Sequence, residues 1–305
     1  MMAPSSLAGL WRPAVDPTPR ASAGALAALR ILAGLLWLYN VSWKRPPDFG
    51  QESGAGLYGY TQDAVDHPVF PPFSWLVENA VLPNFTLFGW TVLVVETLLA
   101  VLLLTGTLVR LVALLGIGQS LAIGLSVAQT PGEWPWSYWM MIGIHVVLLL
   151  TASGRVAAVD AVRRGGGSGA GSSAAVRLLL GWGVLVGLAG LLALVLAVGE
   201  DPLAPSGSLL GPPGLSVSLG SYNLLGAVVL LVVAALMAGA AALRRRELAL
   251  AAAAVAVLAA LSLYLQLSRA DVWLGGSNTS AAFYLCAAVV SGATARLLRP
   301  STTRP

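Results

Sequence analysis

Eight apolar stretches of about 20 residues each dominate this 305-residue sequence. Roughly 20 apolar residues are what an α-helix needs to cross the hydrocarbon core of a bilayer. A helix also satisfies its backbone hydrogen bonds within one segment, as hydrocarbon requires. The sequence therefore predicts an all-α integral membrane protein with eight transmembrane helices arranged as two four-helix bundles. The eight candidate helices are residues 23–43, 84–106, 109–128, 136–154, 175–198, 222–243, 248–268 and 279–297.

The composition agrees with a lipid environment and excludes several kinds of site. Hydrophobic residues make up 57% of the chain and charged residues only 10%, whereas soluble domains average about 25% charged residues. The single cysteine, Cys286, excludes an internal disulfide and a CxxC redox pair. The sequence also has no dinucleotide-binding fingerprint. The net charge of +4 does not imply nucleic acid, because the basic residues flank the apolar stretches.

The placement of the basic residues predicts the orientation. With a cytoplasmic N-terminus, 14 of the 17 Lys and Arg residues lie in or next to inner segments, and only Lys44, Arg45 and Arg269 lie outside. Because inner loops of membrane proteins carry an excess of Lys and Arg, this bias predicts a multi-pass protein of the cell (cytoplasmic) membrane. Both termini, residues 1–22 and 299–305, are expected to be cytoplasmic tails.

A Gly/Ser-rich linker divides the apolar stretches into two sets of four. The linker covers residues 165–174 and separates a first membrane domain, 23–164, from a second, 175–298. AALRILAGL at 27–35 aligns with AAVRLLLGW at 174–182, which favours a degenerate parallel repeat. The alternative is that residues common in every membrane protein align by composition alone. In the alignment only the first set carries ionisable groups at depth.

Four polar residues of the first set fall deep inside their predicted helices. At about 1.5 Å per residue, Glu96 lies about 18 Å, Arg30 about 20 Å and His145 about 14 Å from the outer ends of their helices. Gln119 lies about 15 Å from the inner end of its own helix. Intramembrane carboxylates usually mark proton, ion or ligand paths. The four helices are therefore expected to bring these residues together near the midplane.

We expect the charges in this group to be paired. Arginine does not lose its proton in proteins, so the least costly arrangement is an ion pair between Arg30 and Glu96. Glu96, His145 and Arg30 are the candidate catalytic residues, and Gln119, Glu96 and His145 are the candidate cofactor-binding residues. The alternatives are that Arg30 extends to the cytoplasmic surface and that His145 and Gln119 only join helices.

The segment 44–83 is too long for a simple connector and is expected to form a lid on the outer face. Lys44 and Arg45 at its base are weak candidates for attracting an anionic substrate. Asp63, Asp66 and His67 lack the spacing of a metal motif, so no metal site is predicted. Residues 73–82 could form a short amphipathic helix lying flat on the membrane.

Four segments of the first set together resemble the DoxX/DoxD family of small membrane proteins, which includes the small subunit of thiosulfate:quinone oxidoreductase. They span about residues 20–164 and are LRILAGLLWLYNVSWK at 29–44, HPVFPPFSWLVENAVLPNFTLFGW at 67–90, VVETLLAVLLLTGTLVR at 94–110 and LLTASGRVAAVDA at 149–161. The resemblance implies a four-helix bundle and a link to quinone or sulfur metabolism. It places Arg30, Lys44, Glu96 and Arg155 at recurring positions. The second set of helices, which has no membrane Glu, departs from the family pattern.

Three functions remain open at this stage. The first is a membrane subunit of a quinone-linked oxidoreductase, with a quinone as cofactor, a partner redox subunit or thiosulfate as electron donor, and Glu96 and His145 as proton carriers. The second is a non-catalytic membrane anchor or assembly factor. The third is a small-solute or proton-coupled transporter, which ranks last because no proline interrupts the apolar stretches.

Overall fold

A computed structural model describes residues 19–165, 169–204, 209, 218–266 and 272–298. These residues form eleven α-helices and no β-strand. The predicted tail 1–22 lies largely, and the tail 299–305 entirely, outside the described residues. The helices are α1 (Arg20–Ser42), α2 (Gly56–Asp66), α3 (Pro71–Leu76), α4 (Phe85–Thr105), α5 (Val109–Val127), α6 (Trp136–Leu150), α7 (Val159–Arg164), α8 (Gly169–Ala197), α9 (Leu224–Leu243), α10 (Arg246–Gln266) and α11 (Asn278–Ala295).

Every apolar stretch of the sequence contains one long helix. Six of these helices, α1, α4, α5, α8, α9 and α10, are long and apolar enough to cross a membrane by length and composition. The all-helical fold is therefore confirmed, and these six helices support a multi-pass membrane protein. The remaining two are α6, an apolar helix of 15 residues, and α11, of 18 residues.

The predicted linker is partly helical. Its residues 166–168 lie outside the described residues, but α8 already begins at Gly169 instead of residue 175. Once the apolar run of α8 has nucleated a helix, each added residue gains a backbone hydrogen bond. Ala174 and Ala175 favour this extension, since alanine has the highest helix propensity. The expectation of a flexible linker over all of 165–174 was therefore wrong.

The segment before α4, which includes α3, is helical and continuous with α4. A π-helical turn at Val77–Val81 and a 3-10 turn at Leu82–Asn84 join α3 to α4, so that Pro71–Thr105 forms one 35-residue helical segment. Pro83 lies in the 3-10 turn. A proline has no backbone N–H and its ring clashes with the preceding turn, and a widened turn relieves that clash. The expected independent surface helix at 73–82 is therefore an extension of α4.

The long helices pack mainly as neighbours in sequence. α1 packs on α4, α5 on α6, α8 on α9, and α10 on α11. α11 also contacts α1 and α4, and its Ala282 and Cys286 lie in one buried cluster with Trp37 and Leu99 of the first set. The two sets of helices therefore share a core at α11.

Two hydrogen-bonded contacts reinforce the junction between the two sets. The Asn278 amide, at the start of α11, donates to the carbonyls of Val41 and Lys44 at 3.2 and 2.8 Å. Farther along, the hydroxyls of Thr97 in α4 and Tyr264 in α10 lie 3.4 Å apart. The second set thus holds the end of α1, from which Lys44 extends.

Candidate functional site

Glu96 lies in a buried polar cluster formed by three segments of the first set. Its carboxylate forms an ion pair with the Lys44 ammonium, and the two side chains are only 1–2% exposed. The Gln119 amide of α5 donates to Glu96 Oε1 at 3.3 Å. Lys44 Nζ also donates to the Asn40 carbonyl at 3.0 Å and lies 3.9 Å from the centre of the Trp43 ring. We call Lys44, Glu96 and Gln119 the Glu96 cluster.

The expected ion pair between Arg30 and Glu96 is wrong. Arg30 is fully buried, but its guanidinium donates to the carbonyls of Ser153, Val156 and Ala157 at 3.1, 3.2 and 2.8 Å. These carbonyls belong to the loop that follows α6. Arg30 therefore fastens this loop to α1 and does not enter the Glu96 cluster.

The register of α1 against α4 explains both the wrong pair and the right one. The two helices are antiparallel, because Gly34 packs against Leu104 while Arg30, earlier in α1, lies next to Gly106, later in the chain. Arg30 is four residues before Gly34 and Glu96 is eight residues before Leu104, so at about 1.5 Å per residue their levels differ by about 18 Å. Side chains of an α-helix tilt toward its N-terminus, which separates the two charges further. Lys44 follows the last turn of α1, so its backward tilt brings the ammonium to Glu96.

His145 forms a second buried polar contact, next to the Glu96 cluster but not joined to it. Trp37 Nε1 donates to His145 Nε2 at 3.0 Å, and His145 Nδ1 lies 2.7 Å from the Met141 carbonyl. These contacts require a neutral imidazole with its proton on Nδ1. Both ring nitrogens are thus occupied, and within the described chain no hydrogen bond joins His145 to Glu96.

A row of small residues on α5 makes room for this histidine. A Cβ atom built on Gly116 would lie 2.1 Å from His145 Cδ2, so the imidazole fits only because Gly116 has no side chain. Gly124, two turns along α5, lies next to Tyr138 of α6, where a built Cβ would make an ordinary contact of 3.5 Å with the tyrosine Cβ. The close approach of α5 and α6 follows the small-xxx-small pattern of membrane helices.

The sequence did not predict a network of hydrogen bonds around Asp160, which lies where α4 ends and α5 begins and which we call the Asp160 knot. The Asp160 carboxylate accepts from the backbone N–H groups of Leu108 and Val109 at 3.1 and 3.0 Å, and it forms a salt bridge with Arg163 at 2.8 Å. The Asp160 N–H donates to the Gly106 carbonyl at 2.9 Å. An acidic side chain satisfies the free N–H groups of a helix start. We call the end of the molecule at this knot, where α1 begins, the arginine-rich end.

The candidate residues of the outer segment, 44–83, do not come together in one site. Lys44 is buried in its ion pair with Glu96, while Arg45 is exposed, so the two do not form one outward-facing anion site as expected. Asp63, Asp66 and His67 lie at the end of α2 or just after it. Throughout the described ranges, no three His, Cys, Asp or Glu side chains come together as metal ligands do.

The structure thus brings together two of the four predicted deep residues, Glu96 and Gln119, and adds Lys44. It places His145 beside them with Trp37 and moves Arg30 to the arginine-rich end. In the sequence Lys44 was only a recurring position of the family resemblance and a weak candidate for attracting an anion, and no local pattern pairs it with Glu96. No protein-family model, no curated protein and no solved structure matches this chain.

Proposed function

We propose that this protein is a membrane subunit of a quinone-linked oxidoreductase and that Glu96, a carboxylate paired with Lys44, relays protons to its quinone site. The observation that carries the proposal is the buried Glu96 cluster, in which a carboxylate, an ammonium and an amide meet inside an apolar helix bundle. An ionisable residue at this depth is costly and is retained mainly where it serves a ligand or proton path. The resemblance of 20–164 to the DoxX/DoxD family points to the same chemistry.

The residues of the cluster suit a quinone as ligand. A bound quinone would accept two electrons and two protons. Gln119 is only partly buried, so its amide forms the edge of the cluster nearest to the lipid. We expect Gln119 and Glu96 to hydrogen-bond the quinone oxygens, whereas His145, whose two ring nitrogens are already bonded, holds Trp37 beside them. Lys44, between Glu96 and the outer segment, would pass its proton through Glu96 to one quinone oxygen and regain a proton from the outer side, and a second such transfer would supply the second proton.

The electrons come from a partner subunit or from a small reductant in this proposal. Thiosulfate is the reductant that the family resemblance suggests, since two thiosulfate ions joined through a new S–S bond release two electrons. Arg45 is the exposed cation of the outer segment that would attract such an anion.

The test uses the full chain in nanodiscs and the variant Glu96→Gln, which keeps the shape of the side chain but cannot give up a proton. We expect the wild-type protein to bind a short-chain ubiquinone, seen as quenching of Trp fluorescence, and membranes that contain it to reduce the quinone with thiosulfate. Loss of the proton carrier should lower that rate by about a hundredfold or more. Glu78→Gln, which changes an exposed carboxylate before α4, is the matched control and should leave the rate unchanged.

Two results would overturn the proposal. One is a wild-type protein that binds no quinone, and the other is a folded Glu96→Gln protein that reduces it at the wild-type rate.

A non-catalytic anchor is the second candidate, and the arginine-rich end favours it. Arg155, Arg177 and Arg244–Arg246 are exposed there and offer a basic docking surface for an acidic partner protein. Purification in mild detergent from the native membrane should then recover a stoichiometric partner, and charge reversal at Arg244–Arg246 should release it. Recovery of the chain alone counts against this role.

We further propose that all eight long helices cross the cell membrane, with the arginine-rich end in the cytoplasm and the two sets related as a parallel repeat. The excess of arginine at that end supports this orientation. With Cys286 replaced by Ala, a single cysteine at position 45 should react with a membrane-impermeant thiol reagent on intact cells, and one at position 245 should not. Equal labelling at both positions would reject the topology.

A further inference from the structure

A cavity of about 490 Å³ lies at the arginine-rich end, where the two sets of helices meet. Its walls come from the loop after α6, from α7 and from the first half of α8, and they include Arg155, Ala157, Arg177, Gly181, Trp182 and Leu185. This volume is within the range of about 300–1,000 Å³ that is usual for small-molecule sites. The loop is held in place because Arg30 binds its carbonyls.

The lining of this cavity changes from charged to apolar along α8. Arg177, Gly181 and Leu185 follow each other at intervals of four residues, so they lie on one face of the helix. Arg155 of the loop is the second charged residue of the lining. Beyond them, Trp182 and Leu185 supply apolar surface toward the middle of the helix. The cavity therefore suits a ligand with an anionic head and an apolar tail.

Gly181 opens the slot between the charged and the apolar part. A Cβ atom built at this position would meet no atom within 4 Å. There is therefore room for a Cβ at this position, and a larger side chain would extend from it into the slot. The next residues on the same side of α8, Val184 and Leu188, are 55% and 60% exposed, so the slot continues into the apolar surface of the helix.

We propose that this cavity binds an acidic phospholipid, with its phosphate between Arg155 and Arg177 and an acyl chain along Gly181 and Leu185. Guanidinium groups recognise phosphate oxygens through paired, charge-assisted hydrogen bonds. Basic pockets between membrane helices at the cytoplasmic side suit acidic lipid headgroups. A soluble anion would use only the arginines, and a neutral lipid would use only the apolar wall. The site is separate from the Glu96 cluster and does not depend on the proposed quinone function.

Native mass spectrometry of the delipidated full chain, titrated with phosphatidylglycerol or phosphatidylcholine, tests this proposal. We expect the wild-type protein to retain one phosphatidylglycerol much more tightly than phosphatidylcholine. Arg155→Gln combined with Arg177→Gln should weaken phosphatidylglycerol binding at least about tenfold. Arg245→Gln with Arg246→Gln is the matched control, because it removes two exposed charges from the same end of the molecule but not from the cavity.

The apolar part of the site is tested separately. Gly181→Leu should abolish binding of phosphatidylglycerol. Gly118→Leu is the matched control and should leave binding unchanged, because Gly118 is also an exposed helical glycine with open space at its Cβ position but does not line the cavity. Phosphatidylglycerol with brominated acyl chains should quench the fluorescence of Trp182, and Trp182→Phe should remove that part of the quenching.

Three results would overturn the proposal. The first is equal weakening by the two arginine pairs, which would indicate only a general surface charge. The second is unchanged binding in Gly181→Leu. The third is displacement of the lipid by millimolar inorganic phosphate, which would indicate a site for a soluble anion. A folded Glu96→Gln protein should bind the lipid normally, so the outcome does not depend on the fate of the quinone proposal.

Discussion

The two sets of membrane helices bury different kinds of polar group. The first set buries a charged pair, Lys44 and Glu96, far from water. Among the residues of the second set that the structure describes, the buried polar side chains are all neutral. Asn223 caps α9, and the hydroxyl of Tyr284 in α11 donates to the Gly226 carbonyl of α9 at 3.0 Å.

This difference shows that a buried charge is not needed to build such a bundle. The second set packs with an alanine-rich core and neutral hydrogen bonds. A buried ion pair carries a desolvation cost that its mutual attraction only partly returns. The Glu96 cluster of the first set therefore needs an explanation beyond packing, and proton handling is the one we propose.

Replacing Lys44 by Met should have the largest effect on stability. The substitution leaves the Glu96 carboxylate buried without its counter-charge, which should lower the free energy of unfolding by about 3 to 5 kcal/mol. The double variant Lys44→Met, Glu96→Gln should recover most of that loss, because no buried charge remains. Chemical unfolding in mild detergent measures both. Equal losses in the single and double variants would show that the two charges do not stabilise each other.

Asn223→Ala should produce the next largest effect, in the second set. The Asn223 amide donates to the carbonyls of Val272 and Trp273 at 3.1 and 2.8 Å, and its oxygen accepts from Gly226 N–H at 2.8 Å. Loss of this cap and of its buried partners should cost about 2 to 4 kcal/mol. Quinone binding should not change.

Asn79→Ala is the control for that experiment. The Asn79 amide also donates to a carbonyl, that of Trp75 at 2.8 Å, but it does so at an exposed position within one helical segment. Its removal should leave the unfolding midpoint nearly unchanged. A comparable loss in both variants would mean that the second set does not depend on its buried hydrogen bonds.

Gly116→Ala should have the smallest effect of the three. The new methyl group would overlap the His145 ring, so the imidazole must shift at a cost of about 1 to 3 kcal/mol. Gly118→Ala, half a turn along the same helix, meets open space and should stabilise α5 by up to about 1 kcal/mol. The difference between the two unfolding midpoints measures how tightly α6 packs on α5. If both variants are stabilised, the packing of His145 is loose.

The positions of the long helices could be predicted because they depend on local composition. Each apolar stretch contained its helix, with shifts of a few residues at the ends, since backbone groups in hydrocarbon have few alternatives to a helix. Glu96 and Gln119 were expected to meet, and their side chains are hydrogen-bonded. The partner of Glu96 did not follow, because residues counted from predicted helix ends do not give the register of one helix against another.

Contacts between segments that are far apart in the chain could not be predicted from local sequence patterns. The three carbonyls that bind Arg30 belong to a loop more than 120 residues away along the chain. The knot at Asp160 and the bond from Asn278 to the end of α1 likewise join segments that no local pattern connects. Such contacts depend on which helices become neighbours, and apolar faces of Leu, Val and Ala specify that choice only through packing.

The sequence by itself determined that this chain is helical, suited to lipid, and charged deep within its apolar stretches only in its first set, because each of these properties depends on the residue types within one segment. The tertiary structure decided that Lys44 rather than Arg30 neutralises Glu96, that His145 pairs with Trp37, and that α11 joins the two sets. The physical reason is that packing between distant segments sets which helices face each other and in what register, and the partner of a buried charge depends on both.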